Sequence, residues 1–226
     1  MQRHLSSRGE GTRSRVNREP RNRNLNSNYT ARMKIYGTTT SPFVRRVIVV
    51  AEELGEPIER VDTATPAGMK ELESISPIRK VPVAIVGPDQ GSPLFDSRAI
   101  HGWLTATHGS WGTHSAHESN LVNAIDAAID AVIQLFYLRR DGVAVEGSVY
   151  EQRQLARADA IFAWLSAQIA EGTFSGGFGY AELSLICGLD WMEFRKAYPV
   201  ERAAGCQAVR DRWRDRPSLV STRPHT

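Results

Sequence analysis

Between Met33 and Thr107 the apolar pattern keeps switching between strand and helix periods, and beyond His117 only the helical period remains. A chain patterned this way folds its first part around a small sheet and its second part as helices packed on one another. The first switch is the sharpest. Lys34 to Gly37 reads as a short strand and Thr38 to Ser41 as a polar turn. Pro42 then suits the first turn of a helix, where the N–H that proline lacks has no partner anyway. Phe43, Val47, Val50, Ala51 and Leu54 recur at i, i+4, i+7, i+8 and i+11, one apolar helical face that Gly55 ends.

A second strand is expected at Ile58 to Val61, and Thr65 with Pro66 starts a helix running to about Ile75. Val81 to Val86 is a β-branched run broken only by Pro82 and closed by Gly87; Pro93 to Phe95 follows a Gly-bearing turn, so the two read as a hairpin. Asp96 and Ser97 are good N-cap residues for a helix from about Arg98 to Thr107. The order β-α-β-α-β-β-α is the thioredoxin-like arrangement. His108 to His117 shifts to Gly, Ser, His and Thr, a linker composition. Beyond it Leu121, Ile125, Ala128, Ile129, Val132, Leu135 and Phe136 trace one helical face, and Ala158, Ile161, Phe162, Leu165 and Ile169 another. Further helices are expected at about 180 to 195 and 199 to 214. The expected organisation is an Arg-rich extension over 1–32, a thioredoxin-like domain over 33–110 and an all-helical domain over 115–226.

The charge balance concerns the extension. Residues 1–32 hold eight Arg and no Lys against Glu10 and Glu19; taking 8 from 28 basic and 2 from 25 acidic residues leaves 20 and 23, so the remainder is net −3. The arm is rich in Arg, Asn and Ser, and it has too little apolar surface to offset the entropy of ordering, so disorder is expected. Phosphate binding and organelle targeting are open to such an arm. It has neither aromatic interleaving nor an apolar helical face, and the expectation is a bland tail with no nucleic-acid partner, or an upstream extension of a reading frame that starts at Met33. No run of about 18 apolar residues occurs and no secretory signal is seen, so no membrane partner and a cytoplasmic location are expected. Cys187 and Cys206, the two cysteines, suit a reducing compartment and make neither a disulfide framework nor a four-cysteine zinc site.

Thr40-Ser41-Pro42-Phe43 puts hydroxyl groups at a helix N-terminus, where unpaired N–H groups and the helix dipole favour an anion. A thiolate is stabilised by such a place: a free thiol has a pKa near 8.5, and helix N-termini lower it. The bland alternative is that Ser41 only caps the helix.

Tyr36-Gly37, Ser41-Pro42-Phe43-Val44-Arg45-Arg46, Arg79-Lys80-Val81-Pro82-Val83 and Phe95-Asp96-Ser97-Arg98-Ala99-Ile100 occur in order at suitable spacings. Together they resemble the glutathione S-transferase superfamily, with the nearest likeness to bacterial serine- or cysteine-type, beta- or omega-like members, over essentially all of 33–226. The resemblance implies that Ser41 faces the glutathione sulfur, with Thr40 as its rival. It implies that Val81, before a cis proline, pairs its backbone with the cysteinyl part of glutathione, and that Lys80 reaches the glycyl carboxylate. It further implies that Asp96 and Ser97 hold the γ-glutamyl amine and carboxylate. A solvated Lys80 and plain N-caps at Asp96 or Ser97 are the structural alternatives. Asp126 and Asp130, four apart, resemble the paired acids of the family's first long helix, and Tyr180 to Leu185 its buried helix. There the chain departs from the pattern: Gly179 replaces the usual Ser or Thr cap and Glu182 the usual Asp, removing a cap worth about 1 kcal/mol.

The resemblance also places Phe43 among the glutathione-binding residues, and Phe43 with Tyr137 and Arg140 is a candidate to line the site of the second substrate. Tyr36, a catalytic tyrosine in other branches, is expected to pack at the end of the first strand. His108, His114 and His117 with Glu118 lie in a linker without metallohydrolase context, so no metal is expected. The implied activity is transfer of glutathione, as cosubstrate, to a hydrophobic electrophile by a homodimer. The alternative is a non-catalytic glutathione-binding or protein-docking module of the same fold.

Overall fold

The computed structural model describes residues 33–87, 91–109, 111 and 115–225; the Arg-rich arm and His114 lie outside them. The first strand, β1 (Met33–Tyr36), pairs in parallel with β2 (Ile58–Val61) and antiparallel with β3 (Val83–Ile85), in the order β2-β1-β3. Strand alternation sorts the faces. Met33 and Ile35 join the main core, whereas Tyr36 packs with Leu72 and Val83 in a smaller cluster. On that second face Lys34 Nζ and Tyr36 Oη both donate to Glu71 Oε1, at 2.6 and 2.7 Å.

Each helix of this half starts and stops as its sequence dictates. α1 (Pro42–Leu54) has Ser41 as N-cap, Pro42 in its first turn and Gly55 in the left-handed conformation as C-cap. α2 (Pro66–Ile75) is capped by Thr65, whose hydroxyl accepts from the Gly68 N–H at 3.1 Å. α3 (Ser97–His108) is capped by Asp96. The expected fourth strand at Pro93 to Phe95 shrinks to one antiparallel bridge, in which Leu94 and Ala84 exchange hydrogen bonds of 2.8 and 2.9 Å. Pro93 has no N–H to extend the ladder, and Asp96 already belongs to the start of α3. Gly37 closes β1 at φ +139°, and a Cβ there would stand 2.4 Å from a Val44 methyl carbon, so the β1–α1 turn excludes a side chain.

The second half is helical: α4 (Ala116–Arg140), α5 (Val149–Ala170), α6 (Tyr180–Phe194), α7 (Ala204–Trp213) and α8 (Pro217–Ser221). A 3-10 turn over Val200–Ala203 precedes α7, where the sequence reads one continuous helix from about 199. Ser115 and Ser148 cap α4 and α5, with Glu118 and Glu151 in the first turns. Gly179 offers no side chain at the start of α6, but Glu182 Oε2 accepts the Gly179 N–H at 3.1 Å, so half of a capping box survives the departure noted above. α4 is long and apolar enough by length and composition to cross a membrane, with a mean hydropathy of 1.6. Asp126 and Asp130 break it as a run, yet its average stays high because Leu121, Ile125, Ala128, Ile129, Val132 and Leu135 are buried against α5 and α6.

α1 joins the two halves, touching the sheet side of α3 and also α6 and α8. Val47, Ile48, Val49 and Val50 are at most 1% exposed, each adding about 1.5–3 kcal/mol over an exposed position. The same helix buries two arginines. Arg45 donates to Asp190 Oδ2 (2.6 Å), the Leu219 carbonyl (2.9 Å) and Thr222 Oγ1 (3.2 Å), which anchors α8. Arg46 is described with the site it adjoins.

Candidate active site

A cavity of about 580 Å³ lies between the thioredoxin-like half and the helices α4 and α6, within the range of small-molecule sites. One wall carries Thr38, Thr40, Ser41, Phe43, Arg79, Lys80 and Val81; the other carries Asp130, Ile133, Phe136, Tyr137 and Arg140 of α4, with Trp191 and Arg195 from the end of α6. The fold thus brings together Ser41, Thr40, Phe43, Lys80, Val81, Tyr137 and Arg140. Asp96 and Ser97 stand outside this lining. A second cavity of about 380 Å³, between α1, α6 and α7, is walled by charges that neutralise one another, among them Arg45, Asp190, Glu193 and Arg210.

Ser41 Oγ accepts the Val44 N–H at 3.4 Å, a long cap bond, and its hydroxyl has no other partner among the described residues. A hydroxyl at the mouth of a helix N-terminus with a proton to donate suits a sulfur anion. Thr40 Oγ1 is 2.6 Å from Thr38 Oγ1, so these two hydroxyls share a proton between them. The pairing engages Thr40 and leaves Ser41 the freer donor.

The Val81–Pro82 bond is cis, and the Val81 N–H and C=O have no hydrogen-bond partner among the described residues. An extended peptide backbone can therefore add there as a strand would. Lys80 forms no ion pair within 4 Å among the described residues and lowers the carboxyl pKa of Asp130, so it stands near that acid. Desolvation first, then the like charge of Asp126 one turn back, hold the Asp130 carboxyl above the ordinary carboxylate range. Asp96 contributes to the same effect, which brings the α3 N-terminus electrostatically close to the cavity.

Asp96 is an N-cap in fact: its Oδ1 accepts the Arg98 N–H at 2.9 Å, and the Phe95–Asp96 bond is cis. Ser97 is 1% exposed, and its Oγ accepts from Arg46 Nη2 at 2.6 Å and Nε at 3.2 Å. Arg46 also donates to Asp126 Oδ1 at 2.6 Å and Ser184 Oγ at 3.2 Å, and its guanidinium lies 4.8 Å from the Phe43 ring centroid. Arg98 closes on the same Asp126 at 2.9 Å. Four elements, α1, α3, α4 and α6, therefore meet at one buried ion cluster. Arg46 in the cluster, and Trp191 and Arg195 on the cavity wall, carry no local sign of these roles: an Arg pair in an apolar helix and the last turn of a largely buried helix read as packing.

Tyr36 is buried, donates to Glu71 and is absent from the cavity wall. Burial pushes the Cys187 thiol up to about 11 and raises that of Cys206 as well, so neither is a ready nucleophile. His108 pairs with Glu56 at 2.8 Å, and no group of three metal-ligating side chains occurs among the described residues.

A small mixed sheet with α1 and α3 on one face and α2 on the other, followed by a helical domain that completes a cleft, defines the class: a thioredoxin-like domain joined to an all-helical one. Residues 35–113 match the family model described as glutathione S-transferase, N-terminal domain. Among solved structures, the fold is similar to a glutathione transferase family member from Pseudomonas fluorescens Pf-5 with bound glutathione: 23% identity, 86% of this chain and 100% of that one covered, TM-score 0.73. It is also similar to a glutathione S-transferase from Methylobacterium radiotolerans in complex with glutathione sulfonate: 20% identity, 86% and 96% covered, TM-score 0.70. A glutathione S-transferase from Methylobacillus flagellatus with glutathione bound gives 23% identity, 85% and 100% covered, TM-score 0.69. No curated protein matches the sequence. Residues 35–113 thus match a glutathione S-transferase N-terminal domain, and the fold of the whole chain is similar to that of these glutathione transferases.

Proposed function

We propose that the chain is a glutathione transferase, a glutathione-binding domain over 33–110 working with a helical domain over 115–226. Glutathione lies along Val81 and Lys80 with its sulfur at Ser41, and its thiolate attacks an electrophile held against α4 and α6. The observation that carries this reading is the single cavity shared by Ser41, Lys80 and Val81, from three separate segments, with Tyr137 and Arg140 opposite. Structurally similar proteins hold glutathione, which supports the same occupant here.

In the reaction the thiol proton leaves to solvent, the Ser41 hydroxyl donates to the sulfur anion, and the N-terminal N–H groups of α1 add their dipole. Sulfur then bonds to the electrophilic carbon while the leaving group departs with its electron pair. Rate enhancement comes from thiolate stabilisation and from holding the two reactants together. The homodimer implied by the resemblance belongs to the same proposal and is read by sedimentation.

Calorimetric titration with glutathione tests the reading, alongside the ultraviolet absorbance of bound thiolate near neutral pH and the same pair of measurements on Ser41→Ala. Binding with a thiolate signal that the substitution abolishes is the expected result. Absence of binding at millimolar glutathione would sink the transferase and leave a docking module.

A further inference from the structure

The α4 and α6 wall of the cavity has a composition that selects among electrophiles. Phe136, Tyr137 and Trp191 provide a ring-lined floor, with Trp191 edge-on to Phe136 at 5.6 Å between centroids. Two cations border it. The Arg140 guanidinium lies 4.7 Å from the Tyr137 centroid and is already held by Asp141 at 2.8 Å. The Arg195 guanidinium lies 5.7 Å from the Phe136 centroid and 4.8 Å from that of Phe194, and among the described residues no carboxylate stands within 4 Å of it.

From this wall we infer that the second substrate is a flat aromatic electrophile carrying a carboxylate, its ring on Phe136 and Trp191 and its acid group on Arg195. The inference rests on the glutathione reading above. Stacking on aromatic faces fixes the plane of the Arg195 fork without neutralising it, the state in which guanidinium takes a carboxylate bidentately. The one acid in the lining, Asp130, does not oppose this. It sits six residues before Phe136, the ring that Arg195 lies against, roughly 9 Å away along the α4 axis, and toward the end where Lys80 stands. Glutathione's glycyl carboxylate is assigned to Lys80, and Asp141 is engaged by Arg140, which leaves Arg195 without an anion of its own.

The probes are S-(4-carboxybenzyl)glutathione and S-benzylglutathione, which occupy both subsites and need no turnover, titrated into the protein and into Arg195→Gln beside free glutathione. The acid is expected to bind about fivefold more tightly, the upper range for an exposed ion pair. That preference should fade at high salt and disappear in Arg195→Gln. Equal affinities for the two probes would overturn the substrate class while leaving the glutathione reading intact. A preference that survives Arg195→Gln would overturn the part given to this arginine. Failure of free glutathione and both probes to bind would overturn the glutathione reading and this inference with it. Turnover supplies a second comparison: 4-chloro-3-nitrobenzoate against its methyl ester, each rate divided by the uncatalysed one. There sulfur bonds to the ring carbon that bears chlorine and chloride leaves with the bonding pair. A corrected preference for the ester would also overturn the proposal.

Discussion

Arg46 Nη2 donates to Ser97 Oγ at 2.6 Å and Arg46 Nε to the same oxygen at 3.2 Å, so both lone pairs of that hydroxyl face one guanidinium. The serine keeps one O–H to give, and the only species it can serve is an acceptor such as a carboxylate. Arg46 is 2% exposed and shares Asp126 with Arg98, which ties the start of α3 to the first long helix of the second domain.

Removing that guanidinium leaves Ser184 and Ser97 short of donors and Asp126 with Arg98 alone. Arg46→Met is therefore expected to lower the unfolding free energy by about 3 kcal/mol, as breaking a buried ion pair typically does. Equilibrium urea unfolding measures it. A loss below about 1 kcal/mol would mean that Arg98 and repacking compensate for the cluster.

The two candidate hydroxyls separate by substitution. Ser41→Ala removes the donor with a free proton, and the thiol pKa of bound glutathione should rise by about one to two units, the worth of a hydrogen bond to a charged group. Thr40→Val removes a hydroxyl already paired with Thr38 and should leave that pKa within about half a unit. Thiolate absorbance followed across a pH titration reads both, and an inverted result would move the role to Thr40.

Cys187 and Cys206 are buried within helices. With its pKa near 11, Cys187 has almost no thiolate at neutral pH. Folded protein should resist a thiol-specific disulfide reagent at pH 7, and both cysteines should react at once in denaturant. Rapid modification of native protein would show that α6, which holds Cys187, or α7, which holds Cys206, opens locally.

Glu53 accepts from Arg216 at 2.8 and 2.5 Å and from Ser218 at 2.5 Å, which together lower its carboxyl pKa, with Arg216 the main cause. A depressed folded pKa contributes stability that is complete above the unfolded value of about 4.3. That stability is lost as pH falls through the lower folded value. Glu53→Gln should thus cost about 1 kcal/mol at pH 7, discounted for partial solvent screening, and should flatten the acid limb of a stability-against-pH curve. An unchanged limb would assign acid lability to other carboxylates.

Most of the architecture can be read in the chain because its signals are local. Ser41-Pro42, Thr65-Pro66 and Asp96-Ser97 mark helix starts, Gly55 marks a helix end, and period-3.6 stripes mark the faces of α4 and α5. The strand at Pro93 to Phe95 is the exception. A β-compatible tripeptide becomes a ladder only if its N–H groups and neighbours allow, and here one bridge at Leu94 is all that forms.

By itself, then, the sequence determines where helices begin and end, that a hydroxyl stands at the mouth of α1, and that motifs resembling those of glutathione S-transferases recur in order after it. The tertiary structure alone decides which charges are buried and what faces Ser41. Arg46 meets Asp126 across 80 residues and Arg45 meets Asp190 across 145. Trp191 and Arg195 reach the cavity only because α6 ends beside it. A guanidinium in an apolar helix is tolerated when a distant carboxylate cancels its desolvation, and no local pattern can encode a partner that the fold has yet to bring within reach.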